Sequence, residues 1–262
     1  LRKRLMHQPP QGRHDLLHEL RGFVWRWCRR HLQPLDRIMG FEEWLATTNY
    51  SARQKEHFRQ VFTRRRKSVE ECVVKCFVKD EEYAEPKAPR MIASREDDAK
   101  VVLGPIFKSM EQVVFDMPYF VKHLTPKQRV AKINAMFGRR PVWVTDYSSF
   151  ETHFTRQMMS NCEFVLYDYL LSNFPEERKL IRVLKGKNHL VSKWFVGDCE
   201  AVRMSGEMNT SLGNGISNLF FMLFAAYKTG SEVLNIVVEG DDGLVELKSP
   251  IPRTFFTDLG LE

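Results

Sequence analysis

The chain has 262 residues, 43% apolar and 28% charged, with a net charge of +7, the make-up of a globular protein large enough to bury a substantial core. It holds no run of about 18 apolar residues that would span a membrane, and its opening LRKRLMHQPP lacks the apolar core of a signal peptide, which argues against export. The cysteines (Cys28, Cys72, Cys76, Cys162 and Cys199) are odd in number and form no CxxC pair, which argues against a disulfide framework or a zinc finger and fits a reducing compartment.

The positive charge is local. Residues 1–67 carry 16 Lys and Arg against 6 Asp and Glu, whereas the remainder is slightly acidic, a distribution suited to holding a polyanion on one face. Two basic helices are predicted here, at 14–33 and 51–66, the second opened by a capping box of Ser51 and Gln54. His14 and His18 stand at i, i+4 spacing, but no Glu flanks the first and no third ligand is evident, so they read as solvated helix residues. A strand is expected over 72–78. The polar, proline-interrupted KDEEYAEPKAPRMIASRED that follows reads as a loop.

Helices are expected at about 105–116 and 126–137, the latter capped by Thr125 with Pro126 in its first turn. PVWVTD, 141–146, is a short strand. A long amphipathic helix over 152–173 comes next, then a shorter one at 175–184 and a polar turn at 185–187. Strand-like segments at 189–196 and 199–203 lead to Ser205-Gly206 and a buried helix reaching about Tyr227. IVVEGDDGLVEL, 236–247, sets two β-branched runs around Gly240, Asp241, Asp242 and Gly243, the composition of a hairpin, and a last helix is expected at 252–259. This order implies an α+β layer.

Adjacent carboxylates at a hairpin tip repel one another, a repulsion relieved by a divalent cation shared with a third oxygen ligand. Asp146, closing the 141–146 strand, is the candidate third ligand, with Glu151 five residues later. Between the acidic sites, RMSGEMNTSLGNGISN places Ser205, Gly206, Thr210 and Asn214 in an SGxxxTxxxN spacing. Thr210 and Asn214, four apart, share one face of a helix otherwise apolar, and polar groups on such a face point to a site.

These three segments, in this order, resemble motifs A, B and C of viral RNA-dependent RNA polymerases, most closely those of tombusvirus-like and noda-like positive-strand RNA viruses. FVKDEEYAEPKAPRMIASR resembles motif F and NYSARQKEHF the helical segment before it, so the likeness extends over about 41–262. The resemblance implies a right-hand polymerase, with an N-terminal and fingers region at 1–140 and a palm at 141–262 whose antiparallel sheet is flanked by helices, 171–203 being partly a fingers insertion. Because the sequence starts without Met and stops at Glu262, shortly after motif C, the expectation is a piece cut before motif D, motif E and the thumb.

The implied activity is template-directed RNA synthesis in viral genome replication. Asp146 and Asp241 would hold two Mg²⁺ ions, or Mn²⁺, with Asp242 supporting the cluster. Lys79, Lys87, Arg90 and Arg95 would line the nucleotide channel, Lys87 and Arg90 facing the triphosphate. Glu151, Thr210 and Asn214 would read the ribose, Ser205 would contact the nucleotide, and Gly206 and Gly240 would ease backbone turns. Template RNA, the nascent strand, nucleoside triphosphates and replication-complex proteins are the expected partners, in host cytoplasm on membranes reached through regions outside this chain. At the second acidic position of motif A the family usually has Asp, where this chain has Glu151. A reverse transcriptase fits less well, since that class usually has an aromatic at the hairpin turn and lacks the Ser-Gly, Thr, Asn spacing. A noncatalytic RNA-binding fragment is the alternative from another class.

Overall fold

The computed structural model describes residues 9–82, 85, 89–138 and 140–262. Three helices open it: α1 (His14–His31), α2 (Phe41–Thr47) and α3 (Ala52–Arg64). α1 buries Leu16, Leu17, Leu20, Val24 and Trp27 along one face and leaves its arginines in solvent. The expected capping box of α3 is present, Gln54 N–H donating to the Ser51 hydroxyl and the Gln54 side chain accepting from Ser51 N–H. The short α2 was not anticipated. Its Trp44 and Leu45 pack with Phe58 and Val101 into a small second core that holds α3 against the body.

Strands β1 (Val74–Val78) and β2 (Met91–Arg95) form an antiparallel pair, so the second half of the supposed loop after 78 is a strand. Its polar side chains suggested otherwise, but β1 takes up its backbone and Ala93, Ser94 and Arg95 are buried. Helix α4 (Asp97–Phe115) begins eight residues before the proline expected to start it, with Pro105 in its interior. A helix-interior proline costs roughly 3 kcal/mol, which the extensive burial of α4, from Ala99 to Phe115, offsets. α5 (Pro126–Met136) carries the Thr125 cap as read.

β3 (Val142–Thr145) leads into a 3-10 turn, Phe150–His153, entered through Ser149 in the left-handed region at φ 52°. The long helix expected over 152–173 is instead α6 (Arg156–Asn161), capped by Thr155, and α7 (Glu163–Leu170), separated at Cys162, whose φ −118° and ψ −99° lie outside helical geometry. α8 (Pro175–Leu180) and a 3-10 turn, Ile181–Lys185, follow. β4 (Asn188–Val191) and β5 (Val196–Cys199) form a hairpin, the second strand earlier than the 199–203 expected. α9 (Thr210–Thr229) is the central helix, and β6 (Val233–Glu239), β7 (Asp242–Leu247) and α10 (Arg253–Leu259) complete the chain.

The strands make two sheets, β2-β1-β4-β5 and β3-β7-β6. Among the described strands β1–β4 is the parallel pairing, and an isolated parallel bridge joins Phe120 to Val238. The main core gathers around α9, where Leu212, Ile216, Leu219, Phe220, Phe221 and Phe224 are fully enclosed. An apolar helix laid under the three-stranded sheet thus fixes the height of the hairpin tip above the core. The architecture is mixed α/β with antiparallel-rich sheets, as the α+β expectation had it.

Candidate active site

The register of the three-stranded sheet sets the acidic residues side by side. β3 runs antiparallel to β7, ending with Thr145 opposite Gly243, so continuing the ladder by one residue puts Asp146 opposite Asp242. β6 and β7 are joined at Glu239 and Asp242 through Gly240 and Asp241, and Gly240 takes φ 65°, which a side chain would strain. Asp146 and Asp242 are exposed, and Asp241 is half-buried. Burial, and then the charges of Glu151, Asp242 and Asp146, hold the Asp241 carboxyl above the ordinary aspartate range. Four acids therefore share one field.

Among the described residues no three carboxylates, imidazoles or thiolates stand close enough to form a ready-made ligand shell. The expected convergence of Asp146, Asp241 and Asp242 is thus one of neighbourhood, in which side chains must turn to share an ion. The donors fit the ion, since hard carboxylate oxygens in mutual repulsion are what Mg²⁺ and Mn²⁺ favour. The Glu of the EGDD stretch has another task. Glu239 is ion-paired with Arg129 of α5, whose Nε also donates to the Leu124 carbonyl at 3.0 Å, and this pair anchors the hairpin from outside.

Glu151, in the 3-10 turn that left-handed Ser149 introduces, accepts a hydrogen bond from Asn214 Nδ2 at 3.3 Å. Asn214 Oδ1 in turn accepts from Arg203 Nη1, which settles which way the amide faces. Arg203 is wholly buried, ion-paired with Glu163 and stacked 3.3 Å above the Phe154 ring, and burial pushes its pKa down from the usual arginine value. Thr210 is not part of this chain of contacts. Its hydroxyl donates to the Met204 carbonyl at 2.8 Å, closing the loop that precedes α9.

That loop is fastened to β2. Gly206 N–H donates to the Ala93 carbonyl at 2.8 Å, the Ser94 hydroxyl to the Gly206 carbonyl at 2.9 Å, and Ala93 N–H to the Ser205 hydroxyl at 3.2 Å. A Cβ at 206 would stand 2.9 Å from Ser94 Cβ and 3.0 Å from the Ala93 carbonyl oxygen. Gly206 therefore serves close approach, and Ser205 is spent on the strand. Arg95 is likewise turned inward, bonding Glu207 at 2.9 Å, Asn188 at 2.7 Å and the Cys72 carbonyl at 3.3 Å with its side chain 3% exposed. That placement keeps it from lining an open channel, in contrast to the expectation. Lys79 and Arg90 face solvent at the open end of β1 and β2, both near Glu81, and Lys87 lies outside the described residues. A cleft of about 800 Å³ is bordered by Pro10, Thr155, Arg156 and Leu259 and by none of the three aspartates.

Sequence reasoning passed over Asn218, although it lies in the quoted 203–218 stretch, four residues after Asn214, where the same i, i+4 logic would have found it. It also passed over Arg203 and Arg129, whose long partners in sequence leave no local signal.

Residues 43–256 match the family model described as viral RNA dependent RNA polymerase. The chain belongs to this family. The chain is 28% identical over 182 residues to the RNA-directed RNA polymerase of Striped jack nervous necrosis virus, covering 66% of this chain and 18% of that relative. It is 29% identical over 206 residues to the RNA-directed RNA polymerase of Oat chlorotic stunt virus (isolate United Kingdom), covering 70% of this chain and 27% of that relative. The chain thus spans about a fifth to a quarter of the length of these curated relatives. The matched residues include β1, β2, Arg129, β3 with Asp146, Glu151, Arg203, α9 with Asn214, and the β6–β7 hairpin.

Proposed function

We propose that this chain is the catalytic portion of an RNA-dependent RNA polymerase that adds nucleotides from triphosphates to an RNA 3′-hydroxyl in viral genome replication. The observation that carries the reading is the ladder placing Asp146 beside the Asp241-Asp242 turn, within the field of Glu151. Asp146 and Asp241 would hold Mg²⁺ or Mn²⁺ with Asp242 in support, and the bound ions would activate the attacking hydroxyl and neutralise charge on the leaving pyrophosphate. The chain's own part is to keep these acids on a rigid ladder and to read the nucleotide beside them. Asn214, oriented by Arg203, and Glu151 together offer the donor and acceptor that a ribose 2′-hydroxyl needs. Lys79 and Arg90, at the exposed end of β1 and β2, are placed to meet phosphates, and Lys87 belongs to the same segment.

On this reading the three-stranded sheet with α9 is the palm and 1–140 the N-terminal and fingers region. The pairing of β4 and β5 with β1, and not with β3, supports giving 171–203 in part to the fingers. Exposed Arg64, Arg65 and Arg66 after α3 suit an RNA backbone, and template and nascent strand are the natural polyanions. No helix among the described residues is long and apolar enough to cross a membrane, so attachment to cytoplasmic membrane complexes would rest on other regions or on replication partners. A noncatalytic RNA-binding role is the second reading, favoured by the concentration of 16 Lys and Arg against 6 Asp and Glu in residues 1–67. Primer extension by the polymerase containing this chain separates the two. Asp241→Asn is expected to abolish nucleotide addition while leaving RNA affinity unchanged, and substantial synthesis by the variant would refute two-metal chemistry.

A further inference from the structure

Asn218 lies on α9, completely buried, one helical turn beyond Asn214 on the same face, with its own partners in the sheet. Its amide nitrogen donates to the Asp241 carbonyl at 2.8 Å, the Thr145 hydroxyl at 3.1 Å and the Gly240 carbonyl at 3.3 Å. Its amide oxygen accepts from the Tyr147 hydroxyl at 3.3 Å. Thr145 adds its own bond to the Asp241 carbonyl at 2.8 Å. One side chain therefore touches the residues on either side of Asp146 and the two turn residues of the hairpin. Where the amide comes up beneath the sheet the chain has Gly243, and a Cβ there would stand 2.8 Å from Thr145 Oγ1 and 3.2 Å from Asn218 Nδ2.

We propose that Asn218 is a positioning residue for the metal-binding acids, setting the distance between Asp146 and Asp241 through the backbone of both segments; this rests on the two-metal reading above. A plain hairpin would satisfy these carbonyls with water, because they sit at a turn. Asn218 instead takes two consecutive turn carbonyls from inside the core, at the cost of burying an amide that must stay fully bonded. An Asp in its place would set an acceptor against those carbonyls, and a Leu would remove the Asn218 donor from the Gly240 carbonyl and leave the Asp241 carbonyl to Thr145. The device fits acids that are adjacent but not gathered: the backbone is fixed in advance, and only the carboxylate torsions remain to be set when an ion enters. Residues that orient metal ligands in this way typically cost ~10–100-fold in metal affinity when removed.

The test uses the full polymerase that contains this chain, with Mn²⁺ alone as probe, followed by electron paramagnetic resonance without RNA or nucleotide. Asn218→Ala is expected to weaken Mn²⁺ binding by about tenfold or more and to lower kcat for single-nucleotide addition while KM for the nucleotide stays within about twofold. Tyr147→Phe, which removes only the bond fixing the amide's orientation and leaves the ring stacked on Phe150, is expected to shift Mn²⁺ affinity the same way by a few-fold. A folded Asn218→Ala with wild-type Mn²⁺ affinity would overturn the assignment. If Asn218→Ala does not fold, unchanged Mn²⁺ binding by Tyr147→Phe overturns it equally. A wild-type polymerase that takes up no Mn²⁺ refutes the two-metal reading and this inference with it, whereas wild-type uptake matched by both variants refutes the Asn218 assignment alone.

Discussion

Gly206→Ala should uncouple the turn before α9 from β2. The added Cβ meets Ser94 Cβ at 2.9 Å, the Ala93 carbonyl oxygen at 3.0 Å and Ile92 Cγ2 at 3.1 Å. The first two of these belong to a paired strand and cannot rotate aside, so the turn must back away by several tenths of an ångström. Overpacking of this kind costs about 1–3 kcal/mol. If the displacement breaks the Gly206 N–H to Ala93 bond and the Ser94 to Gly206 bond, each adds about 1 kcal/mol. The narrower unfolded ensemble of alanine returns roughly 0.4–1 kcal/mol. With both bonds broken the net expectation is a loss of about 2–5 kcal/mol, read as a lower urea midpoint at unchanged slope. A midpoint shift worth less than about 0.5 kcal/mol would refute the argument, because it would mean that the turn yields freely and does not depend on β2.

Arg95→Ala should destabilise the fold by about 3–5 kcal/mol by stranding the buried Glu207 carboxylate, and adding Glu207→Ala should recover part of the loss; exposed Lys79→Ala should cost less than about 0.5 kcal/mol in the same denaturation experiment. Asp241 in the fold keeps a proton that the unfolded chain has already released over the window between the ordinary aspartate value and its raised one, so stability falls as pH rises through that window and the penalty is complete above it. Without divalent ions, Asp241→Asn should therefore raise the melting temperature at pH 7 and flatten its pH dependence in that window, and a lower melting temperature would contradict the assigned repulsion. Asn214→Ala should narrow ribose-over-deoxyribose discrimination by about 1–3 kcal/mol in single-nucleotide incorporation, and equal losses with both sugars would assign Asn214 to folding.

What the sequence disclosed was local or chemically marked. Ser51 with Gln54 and Thr125 with Pro126 announced two helix starts because capping needs only neighbours. The β-branched runs around Gly240 and Asp241 announced the hairpin for the same reason. β2 escaped notice because its pattern is polar and its stability comes from β1 on one side and the 205–206 turn on the other. Pro105 misplaced the start of α4 because a local penalty was outweighed by burial that no neighbouring residue reports. The break at Cys162 is similar, an amphipathic pattern continuing through a backbone that bends. At the site, the candidate acids were legible from their spacing, while the approach of Asn214 to Glu151 followed from the family resemblance, which also grouped Thr210 with them where the structure does not. The inward turn of Arg95 was not, since an arginine in a basic loop and an arginine bonded to a distant Glu207 and Asn188 look alike until the chain is folded.

The parallel pairing of β1 with β4 has a consequence for how this chain reaches its fold. Val74 lies beside Leu190, and everything from α4 to α8 must be threaded between them. The β1–β2 hairpin is local, but its sheet cannot grow toward β4 until the segment carrying Asp146 and Glu151 has already been made. Loop closure of that length is slow relative to local hairpins. During synthesis the basic N-terminal half would emerge with an unfilled strand edge, open to mispairing with another chain, and only the arrival of residues 188–191 would seal it. The second sheet waits longer still: β3 pairs only with β7, which follows β4 in the chain, so the strand edge flanking the candidate nucleotide-binding loop is sealed before Asp146 gains the neighbouring strand that carries Asp242.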